Sequence, residues 1–504
     1  MAAVTRLDFQ FGSADAPAAR RRDEGAMRIV LLGDFSGRAA RGTNDAATLA
    51  ERKPLRVDID NLDAVLGRIA PRLPQPGGGE TAFATIDDFH PDALYRRLPV
   101  FAGLRDTRAR LRDPATFAAA AAELMTSGKT EADSAPAAPA DPSALLGNLL
   151  GMPAASAAAA AAASAVPAKA EAVQALIRHI VGPDIARDEM PQQAQYLASV
   201  DAAAAERMRA VLHAPAFQSL ESAWRGVQML VSRLELDEGL QLWLFDASAA
   251  ELRDDITASN GDLQRSGLWR ALVERVVQAP GGEPWSLLAG LYAFDATPAD
   301  VGLLAALGAV AAQAGGPFIA SANPRLAGCE SFATTPDPAD WLAPSPAAEA
   351  LWAALRHSSV APWIGLIAPR FRLRLPYGAA TDEIDAFAFE ETAGADLHAS
   401  TLWGHGALAA ALLVGQAFTQ RGWSMNPGDV QDLDDLPAHM ALHEGEKQLQ
   451  PGAEAYLSER AGNRLLELGL MPLLSYRHRN AARLLRFQSV ALPARRLAGL
   501  GADA

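Results

Sequence analysis

A glycine-bounded turn, Gly33-Asp34-Phe35-Ser36-Gly37-Arg38, follows the apolar run that ends at Leu32. A strand, a glycine turn and a helix open many nucleotide-binding domains, where backbone amides wrap a phosphate. The chemistry here opposes that use. A phosphate loop needs a longer glycine-bounded stretch ending in Lys and Ser or Thr, a dinucleotide loop needs three glycines, and Asp34 puts a negative charge where phosphate would sit. The turn reads as structural.

Two further patterns could carry chemistry. In HMALHE, His439 and His443 would share a helical face and hold zinc with a third ligand, but Glu444 is misplaced for a zinc protease. Pro437 before the run and Gly445 after it oppose a continuous helix. Asp246, Asp295 and Asn323 follow apolar strands, where doubly wound enzymes bind ligands, yet no glycine-rich loop accompanies them. Ser286 lies within an apolar strand and not in a Gly-x-Ser-x-Gly elbow. The residues therefore assign no catalytic group, no cofactor site and no metal ligand. Trp224 belongs to an apolar stripe, and Arg225 beside it would pair with a buried carboxylate or stack on an aromatic face.

The elements that would position these residues form a mixed α/β protein. In PAFQSLESAWRGVQMLVSRLE, residues Phe217, Leu220, Trp224, Val227, Val231 and Leu234 recur at three- and four-residue spacing, which predicts a helix from Pro215. LQLWLFDAS, WSLLAGLYAF and PFIASAN are apolar strands separated by helical stretches at about Leu263–Val277 and Asp300–Gln313. That βαβαβ order predicts a largely parallel sheet covered on both faces. WIGLIAP is another buried strand. FRLRLPYG, alternating apolar residues with Arg372 and Arg374, reads as an edge or half-exposed strand. A helix over Leu402–Arg421 and strands near Trp423, Pro472–Arg477 and Leu484–Ala491 complete this body. The N-terminal part shows strands at Arg28–Leu32 and Leu55–Ile59, a helix capped by Asp60, and a second helix from Pro91. It reads as a small unit that leans on a partner surface.

Composition sets the class. At 504 residues the chain exceeds one core, and 50% hydrophobic with 21% charged residues is typical of a soluble globular protein. A net charge of -14 opposes nucleic-acid binding. Cys329 is the only cysteine, which excludes an intramolecular disulfide and a multi-cysteine metal site and fits a reducing cytoplasm. The apolar run after Arg20, Arg21 and Arg22 is too short for a signal peptide, and the alanine tract from Ser156 is too weakly hydrophobic for a membrane span. Four regions are expected: a small N-terminal domain over 1–125, an Ala/Pro/Ser-rich disordered linker over 126–170, a larger body over 171–492 and a tail over 493–504. Within the linker, LLGNLLGM from Leu145 reads as a docking motif or a transient helix.

Several segments, in order, resemble the contractile sheath of type VI secretion. LIRHIVGPDIAR, the E-x-x-W-R-G helix with the following strand, GGPFIASANPRL, IGLIAPRFRLRLPYG, LWGHGALAAALLVGQAF and DLPAHM are similar to the large sheath subunit, from about Leu176 to Leu492. IVLLGDFSGR, LAERKPLRVDIDNLDAVLGRI and IDDFHPDALYRRLPVFAGLRDTRARL resemble the small subunit. The signature positions are Gly33, Asp34, Gly37, Glu221, Trp224, Arg225, Gly226, Pro369, Arg370, Pro376, Gly378, Trp403 and Gly404. The resemblance implies a cytoplasmic structural protein without a catalytic centre or cofactor. Its partners would be other sheath subunits or itself, with inner-tube and baseplate proteins and an AAA+ unfoldase, and neither nucleic acid nor membrane. The family's large subunit continues past the point where this chain ends at Ala504, so a C-terminally truncated large part is expected. The rival readings are a soluble α/β enzyme with a ligand at its strand ends, and a sheath adaptor that does not polymerise.

Overall fold

The computed structural model describes residues 25–75, 78–129, 189–393, 397–443 and 446–501. Most of the expected linker, including LLGNLLGM, and the LIRHIVGPDIAR match lie outside these residues.

In chain order the strands are β1 (Met27–Gly33), β2 (Leu55–Val57), β3 (Arg72–Pro74), β4 (Glu80–Ala82), β5 (Leu240–Asp246), β6 (Leu287–Phe294), β7 (Phe318–Ala322) and β8 (Ile364–Ala368). There follow β9 (Phe371–Arg372), β10 (Trp403–Gly404), β11 (Asp432–Leu433), β12 (Met440–His443), β13 (Glu446–Leu449), β14 (Met471–Ser475) and β15 (Ala482–Leu484). Nine of them form one sheet in the order β11-β15-β14-β8-β7-β6-β1-β5-β2. The six from β14 to β5 run parallel, and antiparallel strands close both edges.

The seven residues of β1 are all buried, which is why this strand reads as a continuous apolar run without alternation. It does not sit in a small unit of its own. It pairs with β5 from Met27 opposite Leu240 to Gly33 opposite Asp246, and with β6 from Ile29 opposite Leu287 to Leu32 opposite Gly290. Both neighbours lie more than 200 residues further along the chain. The N-terminal part therefore shares the sheet of the body rather than leaning on it.

Side chains alternate across the sheet into two cores. Ile29, Leu31, Leu242 and Leu244 face one layer, covered by the helices Pro215–Arg233 and Gly406–Arg421, while Val30, Leu32, Phe245 and Phe294 face the other, covered by the helices Ala249–Ala258, Pro298–Ala314, Pro346–Arg356 and Glu459–Glu467. These helices belong to the series α1 (Leu62–Ile69), α2 (Pro91–Arg97), α3 (Ala102–Arg112), α4 (Phe117–Lys129), α5 (Glu189–Leu212), α6 (Pro215–Arg233), α7 (Ala249–Ala258), α8 (Pro298–Ala314), α9 (Pro346–Arg356), α10 (Gly406–Arg421) and α11 (Glu459–Glu467). Local signals explain several of their ends. Ser248 and Glu251 form a capping box at the start of α7, and Thr297 caps α8, which stops at Gly315 with φ 104°.

Some expectations fail for identifiable reasons. The helix expected over Leu263–Val277 is broken into a 3-10 turn, a short α turn and a π segment. There Asp255 accepts the amides of Gly267 and Leu268, and a Cβ on Gly267 would stand 2.9 Å from Leu49 Cβ. The helix expected from Leu402 begins at Gly406, because Trp403 and Gly404 pair with β9 instead. FRLRLPYG is not an edge of the main sheet: β9 has two residues, Arg372 is 2% exposed and Arg374 is bound between carboxylates. Trp423 lies in a 3-10 turn, and β15 stops at Leu484. Asn61, not Asp60, precedes α1, while Asp58 accepts the amides of Asp60 and Asn61.

Candidate functional site

The signature residues fall into three groups, the first of them along the seam between the N-terminal part and α6. At the turn after β1, Asp34 accepts the amides of Arg38 (2.8 Å) and Ala39 (2.9 Å). The amides a phosphate would need are thus already held by a carboxylate of the same turn. Gly37 has φ 74°, and a Cβ there would stand 2.4 Å from Arg72 O, so backbone packing fixes this glycine. Gly33 lies against Leu291, whose Cδ1 would be 3.1 Å from an added Cβ.

Trp224 reaches this turn from α6. Its indole Nε1 donates to Phe35 O at 2.9 Å, and its ring meets Phe35 edge-on at 5.6 Å. Both residues have no exposed surface. Gly226, on the next part of the helix, lets α10 approach: a Cβ would lie 2.4 Å from Leu408 Cδ1.

Charged groups lock both sides of Trp224. On one side Asp246, at the end of β5, accepts the Ser36 amide and pairs with Arg38 at 3.1 Å. The buried Glu251 accepts Arg52 at 2.6 and 2.9 Å together with the amides of Asp45 and Ser248. Burial pushes the Glu251 carboxyl up, but Arg52 and these amides outweigh it and hold it at about 2. On the other side Glu221 accepts Arg225 Nε (2.7 Å) and Arg374 Nε (2.9 Å), while Arg374 forks onto Glu391 at 2.7 and 3.0 Å. Arg225 also donates to Tyr377 OH at 2.8 Å, and burial pushes that phenol up to about 12. Glu391 is buried too, yet His213 and Arg374 bring it down to about 2.

The remaining signature residues form a third group. The Ala368–Pro369 bond is cis, and Arg370 binds Glu454 through its amide (2.9 Å) and guanidinium, with His398 Nε2 3.0 Å from the same carboxylate. Burial pushes the Glu454 carboxyl up, but His398 and Arg370 hold it at about 2. Pro376 O accepts Thr381 Oγ1, and Gly378 packs where a Cβ would be 2.2 Å from Glu390 Oε2. Trp403 O accepts Ser222 Oγ of α6 at 2.8 Å, and Gly404 is pressed against Leu373. The one helix α6 thus touches all three groups.

Asp246, Glu251, Arg374, Tyr377 and Glu391 complete this seam and were not singled out by the sequence as a set. Arg374 carried the nearest signal, since an arginine between leucines must find an acid if it is covered. The other candidates dissolve. His439 and His443 flank and end β12, an extended strand rather than a helix, and among the described residues no group of three His, Cys, Asp or Glu could hold a metal. At the strand ends Asp295 accepts the Ala296 amide and Asn323 the Arg325 amide, and Ser286 Oγ accepts the Arg28 amide.

Residues 194–491 match the family model described as VipB: EvpB/VC_A0108, tail sheath N-terminal domain, more than half of the chain. The chain belongs to the VipB tail sheath family. Residues 13–125 match a second model, type VI secretion system, VipA, VC_A0107 or Hcp2. The type VI secretion system sheath protein TssC1 of Pseudomonas aeruginosa is 34% identical over 332 residues, 64% of this chain and 66% of that protein. The chain thus spans just under two thirds of that relative's length. In this VipB-family protein the seam joins the two matched segments: β1 and the turn Gly33–Arg38 come from the VipA-like part, and β5, β6, Trp224 and Glu251 from the VipB-like part.

Proposed function

We propose that this chain is a building block of a type VI secretion sheath in which one polypeptide supplies both the small and the large sheath segments. The observation that carries this is β1, a VipA-like strand hydrogen-bonded on both sides by VipB-like strands. We take 1–125 as the small-subunit part, 126–170 as the linker, 171–492 as the large-subunit part and 493–504 as a tail. Joining the parts covalently replaces a bimolecular encounter by an intramolecular one.

The thirteen signature residues act as structural positions in this reading, holding α6 against the turn after β1 and the segment after β8. That Asp246, Asp295, Asn323 and the amides of Ser36, Arg38 and Ala39 are bound within the protein supports a structural role over catalysis. No helix among the described residues is long and apolar enough to cross a membrane, which suits a cytoplasmic sheath. Inner-tube and baseplate proteins and an AAA+ unfoldase are the partners such a unit would meet.

Electron microscopy of the purified protein, alone and co-expressed with the products of neighbouring genes, tests the proposal. Rings or tubes with regular subunit spacing are expected. Monomers in every mixture would overturn it.

A further inference from the structure

Arginine recurs at every second residue through the segment after β8, and two of the three have acids. Arg370 takes Glu454, and Arg374 takes Glu221 and Glu391. Arg372, between them, is 2% exposed and has no carboxylate partner among the described residues. Its guanidinium donates to Pro437 O at 3.3 Å, its Nε has no partner, and the ring of Trp403 lies 5.8 Å away. A buried guanidinium ordinarily has its donors filled.

A second unpartnered nitrogen lies beside it. His439, two residues beyond Pro437, is 7% exposed, and its Nδ1 also lacks a partner. Burial, and after it the charge of Arg372, lowers this imidazole. Burial likewise brings Arg372 down to about 10, with the Tyr456 phenol acting against it. The half-buried Tyr456 donates from its OH to Leu449 O at 2.7 Å, and the exposed Arg477 guanidinium stands 5.5 Å from its ring. Burial raises this phenol while Arg477 and Arg372 lower it, so both guanidinium groups bear on one oxygen.

Four separate stretches thus converge here: the segment after β8, the approach to β12, the residues before α11 and the turn after β14. They bring three nitrogen side chains together without an acid, in a chain of 59 acidic and 45 basic residues. Donors without acceptors suit a ligand that only accepts hydrogen bonds, and donors from several directions suit a tetrahedral anion better than a planar carboxylate.

We propose that Arg372, His439 and Arg477 form a site for a small phosphate-class oxyanion, with Arg372 Nε and His439 Nδ1 donating to its oxygens and Arg477 closing it on the solvent side. The hairpin β12–β13 pairs with no other strand among the described residues. The bound anion would tie the base of that hairpin to the segment after β8.

Thermal unfolding of the full chain in inorganic phosphate tests this, with sodium chloride holding the ionic strength constant. Tm should rise saturably between about 0.1 and 10 mM phosphate, as it does when a ligand binds only the folded state. His439→Gln and Arg477→Gln should each weaken the apparent affinity about tenfold or more, the worth of one hydrogen bond to a charged group. Arg68→Gln, at an exposed position on α1, should bind as the native protein does. Arg372→Gln should abolish the shift; should that buried variant fail to fold, the His439 and Arg477 variants decide. A Tm indifferent to phosphate would overturn the proposal, and so would an equal rise in all variants, which would mean phosphate acting on the whole surface. Stability without phosphate that grows with protein concentration and is lost in Arg477→Gln would also overturn it, assigning the site to a carboxylate of a second copy.

Discussion

Trp224 shows how one side chain can belong to two segments. Its ring packs in the α6 layer, while its only hydrogen bond crosses to Phe35 O of the turn after β1. Trp224→Ala should cost about 3–5 kcal/mol by opening a cavity under the sheet. Trp224→Phe fills most of that space but leaves Phe35 O buried without a donor, so about 1–3 kcal/mol is expected. Chemical denaturation of both variants separates the terms, and an unchanged midpoint for the alanine variant would refute the assignment. The glycine turn, for its part, was legible in type but not in use. Asp34 signalled that phosphate was unwelcome; that the carboxylate takes the turn's own amides required the structure.

At the scale of elements, the apolar strands and α6 were legible because period and length are local properties. The sequence could not place β1 between β5 and β6, because a strand buried on both faces presents the same apolar run wherever it sits in a parallel sheet. Arg374 was misread for a related reason. Alternation with arginine mimics a half-exposed strand when the acids that neutralise it, Glu221 and Glu391, lie far off in sequence. Three carboxylates that tie elements together, Glu251, Glu391 and Glu454, are all held at about 2. Their folded values lie below the ordinary glutamate value, so the stability they contribute is complete above that value and is lost as pH falls towards 2. His405 adds to the same trend: desolvation, aided by the charge of Arg370, lowers it to about 4, and its contribution fades as pH drops from the ordinary histidine value through 4. The melting temperature should fall in steps on acidification, first with His405 and then with the carboxylates. In Glu391→Gln it should start lower at neutral pH and fall less steeply below the glutamate range; an acid limb identical to the native one would count against these ties.

Across the whole molecule, the two matched segments share one sheet through β1. A site-specific protease sequence introduced within 130–188 and then cleaved should yield two pieces that co-elute in gel filtration and melt together. Separate elution would show that the covalent connection is what keeps them paired. The place of β1 in the sheet also sets a schedule for synthesis. A ribosome must add about 260 residues after β1 before β6 is complete, roughly 13–52 s at ordinary elongation rates. For about the first 213 of those residues, until β5 is complete, a seven-residue apolar strand of the nascent chain has neither of its neighbours, and until β6 is complete it has only one. Until its neighbours are made, the N-terminal part of this chain must wait with an apolar strand that has no place in a sheet.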